Sequence, residues 1–412
     1  MRARTARALF SFALEMRSKC GEWASRHVSR AWADDAHRTT KSAAKWRASC
    51  RMRSGLFRGS VIKIANPGEL VPCIYRGLSH LLGSRAMQYR TLGRTGLKVS
   101  RLGLGCGNFG GIGSDARFFG MGESEQDAFR LMDRALELGI NFFDTADAYG
   151  GGASERFIGR FRKTKDASVR DQLLLSSKVF NPVGDGPNDR GLSRRHIKRQ
   201  VEASLTRLGA ERLDLYLVHE PDPETPLEET LDTLGDLVHQ GKIHYIGASN
   251  FEAWRLTRAL WLSDKNGLPR FEWIQNDYSL LSRGQELEML PLCADQQLGF
   301  TPFSPLAGGW LTGKYRNSED YPEGSRMTLR PEPYKHLVNE KIFSALRRFR
   351  KTAEDRGVSM GSLAMAWVLA NPLTTAIITG PRRPEHLDMA EAALEIELSE
   401  DERADLAATF TG

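Results

Sequence analysis

The sequence has neither a long apolar run nor cysteines spaced for disulfides or a metal ion. These absences limit the classes of protein to which it can belong. The most apolar helix-like segment, SLAMAWVLANP, is shorter than the roughly 18–20 residues that a membrane-spanning helix needs. The five cysteines have the spacing of neither a disulfide network nor a zinc site. They are Cys20, Cys50, Cys73, Cys106 and Cys293. We therefore expect a protein without a membrane span or a metal site. Because no disulfide network is indicated, we expect a reducing compartment, and we place the protein in the cytoplasm.

Acidic residues are scarce in the first 86 residues. This segment has 17 Lys and Arg against five Asp and Glu, a net charge of +12, so the remaining residues carry −5 of the total charge of +7. It shows no sustained helical or strand pattern. We expect residues 1–86 to be a basic, disordered extension, separate from a domain at residues 87–412.

Three origins of residues 1–86 remain open. An Arg-rich, acid-poor segment is typical of a mitochondrial transit peptide, which would place the protein in mitochondria, but a continuous amphipathic helix is missing. A nucleic-acid-binding arm is disfavoured because the arginines are scattered without aromatic residues between them, and we expect no nucleic-acid partner. The favoured interpretation is a start assigned upstream of the true one, with translation beginning at Met87.

From Met87 onward, short apolar runs alternate with helical patterns. The stretch YRTLGRTGLKVSRLGLG predicts a hairpin that turns near residues 94–96, followed by a buried strand that ends near Gly105. A helix is predicted from Ser124, whose hydroxyl can cap it, to Gly139. Further strands are predicted at INFFD, QLLLSSK, LDLYLVH, KIHYIGASN, FEWIQN, GFTPFS and TAIITG. Further helices are predicted near residues 154–163, 193–208, 227–240, 251–263, 284–297 and 340–370.

Eight strand–helix units predict an α/β fold, a closed (β/α)8 TIM barrel with an N-terminal β-hairpin. One motif points elsewhere, because GCGNFG, from Gly105 to Gly110, matches the G-x-G-x-x-G fingerprint of an open dinucleotide-binding sheet. In that fold the glycines open a helix, whereas here the first helix begins well downstream, near Ser124. We interpret these glycines as a loop after the first barrel strand.

Reactive side chains fall at the carboxyl ends of the predicted strands. A single Asp, Lys or His in such a place is more often a helix cap, a solvated end or a satisfied core residue. In a (β/α)8 barrel, however, eight loops converge at this end, which carries the active site. The coincidence therefore predicts a functional site on this rim. Its members are Asp144, Lys178, His219, Ser249, Asn250, Gln275, Ser304 and Gly380.

Several motifs, in order, resemble the aldo-keto reductase family from about Met87 to the C-terminus. They are FFDTADAYGGGASE, LLLSSK, LDLYLVHEPD, IGASNF and FSPLAGGWLTGKY. The segments LTGKY and PEGSR are more similar to the bacterial oxidoreductases and potassium-channel β subunits of that family than to its steroid or aldose reductases. The resemblance implies a barrel enzyme that reduces aldehydes or ketones with NADPH. The catalytic residues that it implies are Asp144, Tyr149, Lys178 and His219.

The chemistry of carbonyl reduction explains these residue types. Hydride transfer to a carbonyl carbon leaves charge growing on the oxygen, so the reaction needs a proton donor, here Tyr149, and a polar environment. We expect the Lys178 ammonium to favour the ionised phenol and to bring its pKa, ordinarily about 10, nearer to the working pH. Asp144 is the available counter-ion of Lys178. A neutral His219 can donate a ring N–H to the substrate oxygen.

The resemblance also implies, by position, the contacts to NADPH or NADP+. Ser249, Asn250 and Gln275 are expected at the nicotinamide carboxamide, and Phe303 stands where a ring-stacking tyrosine is more usual. The phosphate-binding and adenosine-binding residues are expected to be Ser304, Pro305, Leu306, Gly308, Lys314, Arg326, Gly380 and Arg382. His386 and Ala390 depart from the family, which more often has Gln and Asn there. The preference for NADPH over NADH therefore rests on Arg382 or Arg383 meeting the 2′-phosphate.

Two other functions fit part of the pattern. Lys178 at a barrel strand end could form a Schiff base, as in an aldolase, although an aldolase would not need Tyr149 or the GASN and SPL segments. The second is a non-catalytic module that holds the cofactor as a sensor, as the likeness to channel β subunits allows. The expected partner is a small-molecule carbonyl compound. We expect the pocket that binds this compound to be shaped by the loop GGIGSDARFFGMGE and by residues 315–339.

Overall fold

The computed structural model describes residues 87–411, so the extension expected at residues 1–86 lies outside the described residues. The strands are β1 (Tyr89–Thr91), β2 (Lys98–Ser100), β3 (Leu102–Gly105), β4 (Phe142–Asp144), β5 (Leu174–Val179), β6 (Leu213–Val218), β7 (Ile243–Ser249), β8 (Phe271–Gln275), β9 (Gly299–Phe300) and β10 (Ile377–Thr379). The helices are α1 (Glu125–Glu137), α2 (Ala153–Lys163), α3 (Ala167–Gln172), α4 (Arg194–Leu208), α5 (Leu227–His239), α6 (Ala253–Asn266), α7 (Met289–Gln296), α8 (Arg326–Leu329), α9 (Glu340–Asp355), α10 (Met360–Leu369), α11 (Glu385–Ala393) and α12 (Glu400–Ala408).

The strands β3 to β10 form one parallel sheet that closes into a barrel. Their order in the sheet is β10-β3-β4-β5-β6-β7-β8-β9, and every neighbouring pair is parallel. The two ends of this order meet, because Phe300 forms a parallel bridge with Thr374 and Phe303 forms one with Ile378. The predicted (β/α)8 barrel is confirmed, and its active-site end is the end where the strands finish.

The N-terminal hairpin closes the opposite end of the barrel. β1 and β2 pair antiparallel, as predicted. Leu92 and Val99 are fully buried in the cluster that fills the barrel interior. Gly93 lies against the starts of β8 and β9, where a Cβ atom on this residue would collide with the carbonyl oxygen of Glu272. The amino-terminal end is therefore filled with side chains and backbone, which leaves the carboxyl end for a ligand.

Alternate residues of the barrel strands face two different cores. Along β6, Leu215 and Leu217 belong to the interior cluster, whereas Tyr216 and Val218 belong to the larger cluster between the sheet and the helices. Both faces of each parallel strand are thus buried, which explains why the strands are near-continuous apolar runs in the sequence.

Local signals in the sequence set the ends of the first helix. α1 follows Ser124, whose hydroxyl oxygen accepts a hydrogen bond from the backbone N–H of Asp127 at 3.2 Å. Gly139, with φ 78°, takes the left-handed conformation just after the helix. No helix opens at the glycines of GCGNFG, since the chain runs from β3 through turns to α1. The interpretation of this motif as a loop is confirmed.

Three predicted elements have different bounds. The helix predicted at residues 340–370 is two helices, because Gly357 has φ 67° after α9 and the hydroxyl of Ser359 caps α10 by accepting from the N–H of Ser362 at 2.9 Å. The helix predicted near residues 284–297 is a short 3-10 turn followed by α7. The strand predicted at GFTPFS covers only the two residues of β9.

The described residues also bear on membrane and metal binding. Between residues 87 and 411, no helix combines the length and apolar character needed to cross a bilayer. Over the same range, His, Cys, Asp and Glu side chains form no group of three or more that could hold a metal ion.

Candidate active site

A cleft of about 1720 Å³ collects the predicted site residues at the carboxyl ends of the strands. Lys178 is the exception among them, because it is fully buried beneath the cleft and not part of its lining. The predicted residues that line the cleft are Asp144, Tyr149, His219, Ser249, Asn250, Gln275, Phe303, Ser304, Pro305, Leu306, Gly308, Lys314, Arg326, Gly380 and Arg382. The barrel thus brings together side chains that lie up to 238 positions apart, from Asp144 to Arg382.

A buried ion pair forms the floor of the cleft. The Nζ atom of Lys178 on β5 lies 2.6 Å from Oδ2 of Asp144 at the end of β4, and both side chains are almost completely buried. The same ammonium donates to the carbonyl oxygen of Thr145 at 2.9 Å. Burial lowers the pKa of Lys178, but the Asp144 carboxylate and the Tyr149 hydroxyl raise it by more, so the net shift is upward. Lys178 is therefore a charged group at neutral pH.

The second oxygen of Asp144 is also occupied. Its Oδ1 atom accepts from Ser176 Oγ and from Gln275 Nε2, each at 3.1 Å. Ser176 is not among the residues predicted for the site, although it lies two positions before Lys178 on β5. Because both oxygens are bonded, the orientation of the Asp144 carboxylate is fixed by side chains from β5 and β8.

Tyr149 stands above this ion pair. Its hydroxyl oxygen lies 3.5 Å from Lys178 Nζ and 3.4 Å from His219 Nε2. A run of left-handed glycines follows it, with φ 57° at Gly150 and 63° at Gly151. A Cβ atom on Gly150 would lie 2.7 Å from the carbonyl oxygen of Phe109, so the turn that presents Tyr149 depends on glycine at this position.

The expected pKa of Tyr149 is wrong in its net direction. Burial raises the pKa of the phenol above its ordinary value of 10, and the Lys178 ammonium opposes this effect without reversing it. The lysine thus acts in the predicted direction, but desolvation outweighs it. The phenol keeps its proton at neutral pH, which is the form that a general acid requires.

His219 follows β6 and is neutral. Burial lowers the pKa of its imidazole well below 6.5, and the Lys178 ammonium lowers it further. Its Nδ1 atom lies 3.0 Å from the side-chain Nδ2 of Asn181, which donates to it. This contact leaves the ring proton on Nε2, the nitrogen that faces Tyr149. Asn181 was not predicted, although it follows the end of β5 closely in the sequence.

The residues expected at the nicotinamide are linked by hydrogen bonds to the residues expected to be catalytic. Ser249 Oγ donates to the carbonyl oxygen of Gln275 at 2.7 Å, and Asn250 Nδ2 donates to the carbonyl oxygen of His219 at 3.0 Å. Asn250 has φ 58°, a strained value for a residue with a Cβ atom. Phe303 lies half-buried on the same wall of the cleft.

The phosphate-binding segment expected after β9 has an unusual backbone. Ser304 and Ala307 have φ 55° and 46°, and Gly308 has φ 64°. Left-handed residues that carry a Cβ atom cost free energy and concentrate at ligand-binding sites. The segment forms a 3-10 turn, Ala307–Thr312, part of which lines the cleft.

Positive charge accumulates at this end of the cleft. Burial in the cleft wall lowers the pKa of Lys314, and the guanidinium groups of Arg382, Arg326 and Arg383 lower it further. Among residues 87–411, no carboxylate forms an ion pair with Lys314, Arg326 or Arg383. Cations that repel one another in this way fit a ligand with several phosphate charges, so the side chains present suit the pyrophosphate of a nicotinamide dinucleotide.

Arg382 has a partner that the sequence did not predict. Its Nε atom donates to Oε1 of the buried Glu123 at 2.5 Å, and its terminal nitrogen donates to the carbonyl oxygen of Gly324 at 2.5 Å. Burial raises the pKa of Glu123, and Arg382 offsets part of this shift. Glu123 comes from the loop that precedes α1, far from Arg382 in sequence, and the sequence carries no local signal for the contact.

Comparisons with known proteins place the chain among oxidoreductases. The profile described as "Aldo/keto reductase family" matches residues 101–409. The chain is 41% identical over 323 residues to the "Uncharacterized oxidoreductase YrpG" of Bacillus subtilis (strain 168), which covers 76% of this chain and 93% of that protein. It is 34% identical over 315 residues to a "Probable voltage-gated potassium channel subunit beta" of Arabidopsis thaliana, with coverage of 75% and 92%. It is 33% identical over 340 residues to the "Versiconal hemiacetal acetate reductase" of Aspergillus parasiticus, with coverage of 77% and 95%.

Proposed function

The chain belongs to the aldo/keto reductase family and is an oxidoreductase, and we propose that it reduces aldehyde or ketone carbonyls to alcohols with NADPH, using Tyr149 as the general acid. The observation that carries this proposal is the position of the Tyr149 hydroxyl, 3.5 Å from the Lys178 ammonium and 3.4 Å from the neutral His219. The protonated Tyr149, the charged Lys178 and the neutral His219 thus lie around one point of the cleft, each in the protonation state that carbonyl reduction requires. The other end of the cleft is lined with cations.

When NADPH is bound in the cleft, it supplies the hydride that the carbonyl carbon receives. The protein must supply one proton to the carbonyl oxygen, and Tyr149 holds that proton at its hydroxyl. Once the proton has left, the phenolate faces the Lys178 ammonium, whose charge stabilises it. Asp144 keeps Lys178 charged and in place, since an unpaired ammonium at this depth would be costly.

His219 orients the substrate in this mechanism. Its Nε2 atom lies 3.4 Å from the Tyr149 hydroxyl oxygen, so its N–H can donate to a carbonyl oxygen that is bound next to that hydroxyl. Asn181 fixes the tautomer by donating to Nδ1. A neutral donor next to a protonated phenol polarises the carbonyl without competing as an acid.

The cofactor contacts in this proposal follow the cleft wall. Ser249, Asn250 and Gln275 would hold the carboxamide, and Phe303 would pack on the nicotinamide ring. The strained segment at residues 304–308, together with Lys314 and Arg326, would hold the pyrophosphate. Gly380 and Arg382 would lie at the adenosine phosphate.

A non-catalytic cofactor-binding module is the second candidate function. The observation that favours it is the 34% identity to a protein whose printed name is that of a probable potassium channel β subunit. Against it stands the intact arrangement of Tyr149, Lys178 and His219, which cofactor binding alone does not need. The Schiff-base alternative is weaker, because Lys178 is charged and paired, whereas an amine nucleophile must be neutral.

The test is a cofactor-oxidation screen with the full chain over aldehydes, ketones and quinones, monitored by the loss of NADPH absorbance. We expect turnover with members of at least one class, and inactivation by borohydride in the presence of substrate should not occur. NADPH binding without turnover of any carbonyl would support the sensor, and borohydride trapping of substrate on Lys178 would support the aldolase.

A further inference from the structure

One carboxylate interrupts the positive end of the cleft. Glu123 is only 6% exposed and lines the cleft next to Arg382. Its Oε1 atom accepts from Arg382 at 2.5 Å, while its Oε2 atom is buried and has no hydrogen-bond partner among the described residues. A buried acceptor without a partner is costly, so a ligand donor is favoured at this oxygen once the carboxylate turns it toward the cleft.

Together with Arg383, Arg382 is one of the two guanidinium groups expected to meet the 2′-phosphate of NADPH. In the structure, its charge is already neutralised by Glu123, and its terminal nitrogen is bonded to the carbonyl oxygen of Gly324. A 2′-phosphate that approaches Arg382 must therefore displace Glu123 or lie beside a like charge, and both are unfavourable. The ribose of NADH presents instead a 2′-hydroxyl, which can donate to a carboxylate oxygen.

We propose that Glu123 determines the cofactor specificity of the cleft, an inference that rests on the proposed function. It holds Arg382 as an internal counter-ion, weakens the preference of the cleft for the 2′-phosphate of NADPH, and offers its free oxygen to the 2′-hydroxyl of NADH. The chain then accepts both dinucleotides, with an affinity ratio that depends on this ion pair. The pyrophosphate is left to Lys314 and Arg326, which serve both cofactors alike.

The test is equilibrium binding of NADP+ and NAD+ to the full chain, measured by isothermal titration calorimetry without substrate. Glu123→Gln keeps the shape of the side chain and an acceptor for Arg382 but removes the charge. We expect the dissociation constant of NADP+ to fall by roughly tenfold or more, as for the loss of a charged hydrogen-bond competitor. The dissociation constant of NAD+ should stay equal or rise.

Glu323→Gln is the matched control. Glu323 lines the same cleft but is exposed, and within the described residues it forms no ion pair with Arg382. This variant removes the same charge from the same cleft and should change the ratio of the two dissociation constants by less than about twofold, since exposed charges interact weakly.

A double-mutant cycle keeps the test decisive even where Glu123→Gln lowers stability. In the Arg382→Gln background, the additional change Glu123→Gln should tighten NADP+ binding by a clearly smaller factor, because only the direct repulsion between the carboxylate and the phosphate remains once the guanidinium is gone. Equal shifts for NADP+ and NAD+, or the same gain with and without Arg382, would overturn the assignment of Glu123 and leave the proposed function standing. If the unmodified chain binds neither dinucleotide, the proposed function falls as well.

Discussion

At the scale of single residues, protonation states decide what the cleft can do. Lys178 stays charged because Asp144 lies 2.6 Å away, Tyr149 keeps its proton because burial outweighs the lysine, and His219 is neutral because burial and Lys178 both disfavour its cation. The Lys178 ammonium lowers the pKa values of both Tyr149 and His219, so replacing Lys178 is expected to raise both.

The neutral His219 gives a prediction for stability against pH. Its folded pKa is lower than its unfolded value of about 6.5, so its contribution is fully present above that pH and is lost as the pH falls toward the folded pKa. The contribution decreases by up to about 1.4 kcal/mol per pH unit in this window. His219→Gln keeps a donor but does not titrate. We expect urea unfolding between pH 7 and pH 5 to show a shallower decline for the variant, and parallel declines would contradict this.

Three of the four residues expected to be catalytic could be predicted because they lie at the ends of strands, which the apolar runs reveal, whereas Tyr149 was expected from the family resemblance. Glu123 and Asn181 could not be assigned in the same way. Their roles come from contacts to Arg382 and His219, on other loops, and no local pattern encodes such contacts. The net pKa of Tyr149 was missed for a related reason, since the depth of its burial is a property of the folded barrel.

At the scale of elements, the turn after β4 positions Tyr149, the proposed general acid. Gly150, Gly151 and Gly152 are all left-handed, and they return the chain from Tyr149 into α2. The carbonyl oxygen of Phe109 packs closely against Gly150, so this turn is also held by the loop that follows β3. The position of the Tyr149 hydroxyl therefore depends on two loops rather than on one.

Gly150→Ala should separate this positioning role from ordinary backbone strain. Gly241 is the matched control, because it has φ 69° but a Cβ atom on it would meet nothing within 4 Å. Gly241→Ala should cost about 1–2 kcal/mol of stability, the usual penalty of a left-handed alanine, and leave kcat unchanged. Gly150→Ala should cost more and lower kcat by roughly tenfold to a hundredfold through displacement of Tyr149. Equal kcat values in the two variants would show that the turn does not position the acid.

Most elements could be read from the sequence, and the exceptions have physical reasons. The apolar repeat continues across residues 340–370. However, the left-handed Gly357 ends α9 and the Ser359 hydroxyl caps α10, so these local signals divide the segment into two helices. β9 is short because the chain leaves the regular ladder after Phe300 and forms only isolated bridges. The helices α3, α8, α11 and α12 were not predicted, although Ser399 and Glu402 form a full capping box at the start of α12.

At the scale of the whole molecule, residues 87–411 contain every residue of the proposed site. The hairpin that follows Met87 closes the amino-terminal end of the barrel, and Met87 itself packs against the core. The acidic surplus of this part of the chain contrasts with the net +12 of residues 1–86. Every residue of the proposed site thus lies outside the basic segment.

A chain that begins at Met87 should therefore fold and turn over as the full chain does. The physical reason is that residues 87–411 form the hairpin and the barrel and contain every residue proposed for the site. The measurement compares kcat/KM and the thermal midpoint of the two chains, together with the intact mass of the native protein. A native chain that retains residues before Met87 and loses activity on truncation would contradict this expectation.

The most direct test of the central claim is Tyr149→Phe, with turnover and NADPH affinity measured on the same preparation. The change removes one oxygen and leaves the ring between Lys178 and His219, so NADPH affinity, followed by fluorescence titration, should stay within a few-fold. Turnover should fall by about 10² to 10⁴, the usual contribution of general acid catalysis. Unchanged turnover would show that Tyr149 is not the acid, and the assignment of the four catalytic residues would fail with it.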